Sequence, residues 1–366
     1  MKLPGYDAAA RTRPRDIVKR HDFGVERADF DRIPVIGLKA GVAGDAAGMT
    51  ATAAAIRKAC IDIGFFYVTR HGIAKDVVAG VRKQARRFFD LPEETKRKYD
   101  INELRRHRGY VPIGSLSADP TIVDLQEGFE IGLELPEDDP DYVAGNPLYG
   151  PNVWPEELPD FRRDVYRNFE EILALGHRLF ELFALGLGLP KDYFEPFITK
   201  PMAQLRLIHY PASDRSTRPE AAVGIGPHTD YEPFTILWQD EDGLQVQNRG
   251  GQWVEAPPIP GTFLVNIGDM LQRWTNDLFV STPHRVISTS GRRRHSFAMF
   301  LGTNHDCIVE CLETCTGPDR PPRYPPTHAG YWTENMHTYA YAYRWAERGT
   351  LPDPERGPRN DIRRGS

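Results

Sequence analysis

Between residues 204 and 301 the chain is broken into short apolar or alternating runs: Gln204 to Tyr210, Thr235 to Trp238, Leu244 to Gln247, Thr262 to Ile267, His284 to Ile287 and Ser296 to Leu301. Runs this short, rich in β-branched and aromatic residues, read as strands rather than helices. Gly243, Gly250-Gly251 and the Pro257 to Gly261 stretch supply the turns between them. Many short strands joined by turns bury their apolar faces by packing sheet on sheet, so the expected architecture is a double-stranded jelly roll and not a parallel sheet.

The preceding half has a different texture. Ile33 to Leu38 and Gly64 to Val68 read as strands, and Thr50 to Ile63 and Ile73 to Phe89 as helices, with a further short helix over Leu91 to Lys96 opened by Pro92 and two acids. Glu134 to Pro155 is rich in Pro, Gly, Asp and Asn and reads as a surface loop. The longest helix spans Phe161 to Leu187, where Val165, Phe169, Ile172, Leu173, Leu179, Phe180 and Phe183 recur at helical spacing until Gly188 and Pro190 stop it. The fold class is therefore mostly β with flanking helices. The expected organisation is an N-terminal arm over 1–32, an α/β region over 33–190, a jelly-roll catalytic core over 191–345 and a C-terminal tail over 346–366.

Charge and composition narrow the partners. The 46 basic residues against 51 acidic ones leave a net charge of −5, which lacks the basic excess needed to neutralise nucleic-acid phosphates. No run of about 18 apolar residues exists, and the N-terminus has no apolar segment behind its charges, so no membrane partner is expected and the chain reads as cytoplasmic. Four cysteines in 366 residues do not make a disulfide framework. Cys307, Cys311 and Cys315 are evenly spaced but lack a fourth ligand in C-x-x-C spacing, and read as free thiols packed as small hydrophobes. Oligomeric state is not legible.

Gly226-Pro227-His228-Thr229-Asp230 places an imidazole and a carboxylate two residues apart, on one face of an extended segment. With 11 histidines in the chain, such a pair is expected about once by chance. A third candidate, His284, opens an apolar strand 56 residues later. Two imidazoles and one carboxylate leave three positions of an octahedral ion open, the arrangement of non-haem iron(II) oxygenases, whereas zinc favours a closed tetrahedral site. Ten residues beyond His284, Arg294 and Ser296 share a strand face. A guanidinium fork with a neighbouring hydroxyl makes a receptor for the distal carboxylate of a dicarboxylic 2-oxo acid, with a solvated strand edge as the competing reading.

These residues stand in a longer ordered series: Ile33-Pro34-Val35-Ile36, Gly64-Phe65-Phe66-Tyr67, Arg108-Gly109-Tyr110, Leu205-Arg206-Leu207-Ile208-His209-Tyr210-Pro211, His228-Thr229-Asp230-Tyr231, Gly243-Leu244-Gln245-Val246, Asn266-Ile267-Gly268-Asp269, Arg273-Trp274-Thr275-Asn276, Ser281 to Val286 and Arg294-His295-Ser296. Over nearly its whole length the chain resembles the isopenicillin N synthase-like branch of the iron(II)/2-oxoglutarate-dependent dioxygenases, the branch that includes thymine 7-hydroxylase. The resemblance implies a distorted jelly roll with the site in its mouth. It implies Fe(2+) on His228, Asp230 and His284, and 2-oxoglutarate on Tyr210, Arg294 and Ser296. The implied reaction consumes O2, converts 2-oxoglutarate to succinate and CO2, and hydroxylates, desaturates or cyclises a small-molecule substrate. An oxidase of the same family that dispenses with 2-oxoglutarate, and a non-catalytic jelly-roll sensor, are the competing readings.

Two positions depart from the family pattern: Ile208, where many relatives carry Asn, and Glu232, where many carry a small residue. Glu232 either points the way Asp230 does, toward substrate, or turns to solvent after a bend. Arg105, Arg106, His107 and Arg108 form a basic run that is either a solvated face or, through Arg108, a contact for a carboxylate-bearing substrate. Phe129, Trp238, Arg273, Trp274 and Phe300 are candidates for the substrate pocket, against a core role. His209, His295 and His305 lie away from triad spacing.

Overall fold

The computed structural model describes residues 30–38, 45–104, 106–116, 124–212, 223–287 and 291–341, with 344, 347, 351 and 353–355. Residues 1–29 of the expected arm, most of the expected tail and Arg105 lie outside the described residues. In chain order the elements that build the site are β1 (Val35–Gly37), α1 (Ala46–Asp62), β2 (Phe65–Thr69), α2 (Lys75–Phe89), β3 (Gly109–Val111), β4 (Glu127–Gly132), α3 (Phe161–Gly186), β5 (Gln204–Tyr210), β6 (Val223–His228), β7 (Phe234–Gln239), β8 (Leu244–Gln247), β9 (Trp253–Glu255), β10 (Thr262–Ile267), α4 (Asp269–Trp274), β11 (His284–Ile287), β12 (Arg294–Leu301) and α5 (Ala329–Ala340).

Two facing sheets form the jelly roll, one of eight strands in the order β1-β2-β10-β7-β12-β5-β4-β3 and one of four in the order β6-β11-β8-β9. Only β1 and β2 pair in parallel; the other ladders are antiparallel. Alternation along the strands sorts side chains between two cores. On the outer face Phe66, Leu207, Ile236, Val265 and Phe297 pack with Ile56 of α1, Phe88 of α2 and Phe169, Leu179 and Phe183 of α3. On the inner face Tyr67, Ile208, Tyr210, Leu264 and Ala298 meet Ile225, Leu244, Val246 and Val286 of the smaller sheet. Each inner residue is one step in register from an outer one, so every strand carries both cores and a one-residue slip would exchange them.

Local chemistry sets the joints. The Asp45 carboxylate accepts from the Ala47 and Gly48 amides and caps α1. Gly64 turns α1 into β2 at φ 74°, and a Cβ there would stand 2.1 Å from the Val280 carbonyl, so no other residue fits.

The structure corrects the reading of Glu134 to Pro155 as a surface loop, since Leu148, Tyr149 and Asn152 are buried. Asn152 Nδ2 donates to the Gly132 carbonyl at 2.9 Å and its Oδ1 accepts from the Gly132 amide at 2.8 Å, so the polar composition is used to bind the segment to the end of β4. β4 itself was not expected. Its sequence, Glu-Gly-Phe-Glu-Ile-Gly, hides a buried strand behind two acids, each paired internally: Glu127 with Lys96 and His209, Glu130 with Arg206.

Candidate active site

His228 ends β6 and His284 opens β11, and the two are direct cross-strand partners, so the ladder alone brings their rings to 4.2 Å between centroids. Asp230, two residues past β6, places Oδ1 3.8 Å from His228 Nε2 and 3.7 Å from His284 Nε2. One ligand atom from each residue lies within 4.8 Å of the others, and this is the one group of its kind among the described residues.

The surroundings orient all three. His228 Nδ1 lies 2.8 Å from the Gly226 carbonyl and His284 Nδ1 3.2 Å from the Thr282 carbonyl, so in each ring Nδ1 carries the proton and Nε2 keeps its lone pair toward the centre. Asp230 Oδ2 accepts from Thr235 Oγ1 at 2.5 Å and from Asn266 Nδ2 at 2.6 Å. Thr235 and Asn266 are themselves cross-strand partners on β7 and β10. Oδ1 is thereby left to face the two imidazoles. Burial raises the Asp230 carboxyl, but the His284 and His228 rings and these two hydrogen bonds outweigh it, and the group is held below the usual carboxylate range. The donor set fits a divalent ion with open positions.

A second polar group sits on the inner face where β12, β5 and β7 run side by side. Arg294 pairs with Tyr210 across β12 and β5, and Ser296 with Gln239 across β12 and β7. The Arg294 guanidinium lies over the Tyr210 ring at 4.7 Å, donates to Gln239 Oε1 at 2.6 Å and to Ser296 Oγ at 3.3 Å, and is buried. The Tyr210 hydroxyl hydrogen-bonds with Ser296 and Arg294. Gly224 of β6 lies beneath the Tyr210 ring, since a Cβ on it would come within 2.7 Å, so this cluster and His228 flank one short strand.

A cavity of about 530 Å³, partly open to solvent, reaches His228 and Asp230. Glu232 and Phe300 line it. Glu232 is 6% exposed; burial, with the Asp230 carboxylate beside it, pushes its carboxyl up to about 7. The structure does not bring Arg108, Phe129 or Arg273 to this cavity. Phe129 pairs with Leu207 on the helix-facing side of the sheet and packs against Phe88 and Phe161. The Arg108 guanidinium is spent on the His107 and Leu148 carbonyls. Arg273 is held between the Tyr324 and Trp332 rings and bonds Thr327 and Glu355. Trp238 stacks on Phe297, and Trp274 meets Phe194 edge to face, both on the outer side.

Thr235, Asn266, Arg206 and Gln126 are the site residues that the sequence reading gave no role. Three of them carry a usable signal, a polar side chain at an inner-face position of an otherwise apolar strand. Gln126 carries none.

The N-terminal region, residues 33–157, matches the family described as "non-haem dioxygenase in morphine synthesis N-terminal", and residues 201–303 match the 2OG-Fe(II) oxygenase superfamily. The chain is 37% identical over 277 residues to a 2-oxoglutarate-Fe(II) type oxidoreductase of Emericella nidulans, covering 74% of this chain and 79% of the relative. It is 38% identical over 262 residues to a homoarginine-6-hydroxylase of Arabidopsis thaliana, covering 70% and 78%. Among solved structures it is similar to thymine 7-hydroxylase of Neurospora crassa in complex with 2-oxoglutarate, at a TM-score of 0.72 and 32% identity over 82% of this chain and 94% of that one. No helix among the described residues is long and apolar enough to cross a membrane. The chain belongs to the 2OG-Fe(II) oxygenase superfamily and is a 2-oxoglutarate-dependent dioxygenase that works on a small molecule with Fe(2+), 2-oxoglutarate and O2.

Proposed function

We propose that His228, Asp230 and His284 hold the iron, that Tyr210, Arg294 and Ser296 hold the distal carboxylate of 2-oxoglutarate, and that the prime substrate enters the cavity past Glu232 and Phe300 to be hydroxylated. The observation that carries this reading is the orientation of the three donors: both Nδ1 atoms face carbonyls, and Oδ2 of the carboxylate takes two hydrogen bonds. Such outer contacts are what a metal site needs to keep its ligands aimed. Iron held here would supply the activation of O2, the oxidant of the reaction: one oxygen atom ends in succinate as 2-oxoglutarate loses CO2, and the other goes to the hydroxylated substrate. The protein's own residues do the rest. Arg294 neutralises and orients the co-substrate, Asn266 and Thr235 fix the carboxylate, and the inner-face apolar residues keep bulk water from the reacting bond. Four unpaired cysteines suit a reducing compartment, which favours the cytoplasm. Anaerobic loading with Fe(II) and 2-oxoglutarate, followed by a substrate-library screen for succinate release and product mass, tests the reading; absence of succinate with every loaded sample would reject it.

Asn266→Ala removes one of the two donors to Asp230 Oδ2 and frees the carboxylate to rotate. We expect iron affinity to fall roughly 10- to 100-fold with the fold retained. Unchanged iron affinity in a direct titration would show that Thr235 alone holds the group.

Glu232 lies in the cavity wall two residues from Asp230. It favours substrates that bring a hydrogen-bond donor and disfavours a second acid. Glu232→Gln is expected to weaken binding of a substrate found in the screen by about tenfold, while uncoupled decarboxylation of 2-oxoglutarate stays nearly constant. Equal substrate affinity in both proteins would return Glu232 to a structural role.

A further inference from the structure

We propose that Asp269 is a positioning residue for iron binding, and that it acts through Thr229, the residue between the two ligands His228 and Asp230. This rests on the site reading above and adds to it how the backbone of the carboxylate ligand is held. His228 and His284 sit in paired strands, so the β6–β11 ladder fixes their chain. Asp230 has no such support: β6 ends at His228 and β7 begins at Phe234, which leaves residues 229–233 without a ladder. A ligand on irregular chain stays aimed only if other contacts hold its backbone as well as its carboxylate.

The first turn of α4 supplies those contacts. The amides of Gly268, Asp269 and Met270 donate to the carbonyls of Pro233, Asp230 and Tyr231 at 2.9, 2.9 and 3.2 Å. The indole Nε1 of Trp332 on α5 donates to the same Tyr231 carbonyl at 3.3 Å. Gly268 makes the approach possible: its φ of −105° suits any residue, but a Cβ there would stand 2.0 Å from the Glu232 carbonyl oxygen and 3.2 Å from that of Asp230. Asp269 then adds a side-chain bond, its Oδ2 accepting from Thr229 Oγ1 at 3.1 Å. Three residues earlier, Asn266 donates to Asp230 Oδ2. The run 266–270 therefore grips the ligand segment by its carboxylate, by its backbone and by the side chain of the residue before Asp230.

The Thr229–Asp269 bond can be removed by substitution without altering a ligand or a backbone hydrogen bond. It ties to α4 the peptides on both sides of Thr229, one leading to His228 and the other to Asp230. Without it the segment between two ligands gains rotational freedom that binding of the ion must then remove, and the cost appears as lost metal affinity. An outer contact of this kind is worth roughly 10- to 100-fold in affinity.

The test is anaerobic titration of Fe(II) into the metal-free protein and its variants. Thr229→Val, which keeps the shape and loses the hydroxyl, and Asp269→Ala are each expected to weaken iron binding about tenfold or more. The double variant should bind no more weakly than the worse single one, because both changes remove the same bond. Thr229→Ser and Asp269→Asn keep a hydroxyl donor and an oxygen acceptor, and should bind iron within about threefold of the native protein. Native iron affinity in Thr229→Val or in Asp269→Ala overturns the proposal. Losses that add in the double variant overturn it too, since the two residues would then act separately. So does weak binding in Thr229→Ser or Asp269→Asn, which would trace the loss to something other than this bond. If Asp269→Ala does not fold, Thr229→Val, Thr229→Ser and Asp269→Asn decide. A native protein that binds no iron, or an Asp230→Ala protein that binds it as the native one does, overturns the underlying site reading. Iron binding that depends on Asp230 but not on Thr229 or Asp269 overturns this inference alone.

Discussion

His284→Ala is expected to abolish succinate formation and to reduce iron affinity by more than the 10- to 100-fold typical of losing an outer contact. The ring is placed by the β11–β6 ladder opposite His228, and no other imidazole or carboxylate among the described residues stands within reach to replace it. His228→Ala should behave alike. Asp230→Ala should be at least as severe, since it also strips Thr235 and Asn266 of their common acceptor and removes the one carboxylate of the triad. Asp230→Glu is the subtler probe, because the longer arm moves the carboxylate off Thr235 and Asn266 and weakens the site without removing a ligand. Iron titration and succinate assays on the four proteins check this. Native-like turnover in any alanine variant would reject that residue as a ligand.

Arg294→Ala is expected to weaken 2-oxoglutarate binding by about 2 to 5 kcal/mol, or roughly 30-fold to several thousandfold, because the distal carboxylate would then be buried without its charged partner. The guanidinium is held over the Tyr210 ring and is tied to Gln239, so its fork is preformed and little ordering is needed on binding. Arg294→Lys keeps the charge but not the fork or the stacking, and should raise the 2-oxoglutarate requirement by a smaller factor. Variants that titrate with 2-oxoglutarate as the native protein does would place the anchor elsewhere.

Much of this arrangement is legible in the sequence because it depends on period-two alternation. Gln204–Tyr210, Leu244–Gln247, Thr262–Ile267 and His284–Ile287 are strands with the bounds their residue pattern suggests. Alternation also explains why Phe300, on the inner face of β12, reaches the cavity while Phe129, on the outer face of β4, does not. The pattern fails where strands carry charge: β4 was hidden because Glu127 and Glu130 are buried through partners distant in sequence, Lys96, His209 and Arg206. Distance in sequence also hid the supports of Asp230, since Asn266 is 36 residues away and reaches the carboxylate only once β10 and β7 are paired. Arg108 and Arg273 are chemically suited to a substrate site, yet their guanidiniums are consumed by carbonyls and rings that only the folded chain brings near.

The central assignment is tested most directly by the visible absorption of the protein mixed anaerobically with Fe(II) and 2-oxoglutarate, where the co-substrate chelated to ferrous iron gives a charge-transfer band. The band is expected at full strength in the native protein, shifted to higher 2-oxoglutarate concentration in Arg294→Lys, and absent in Asp230→Ala. A native-strength band in Asp230→Ala would place the iron on other residues and contradict the account.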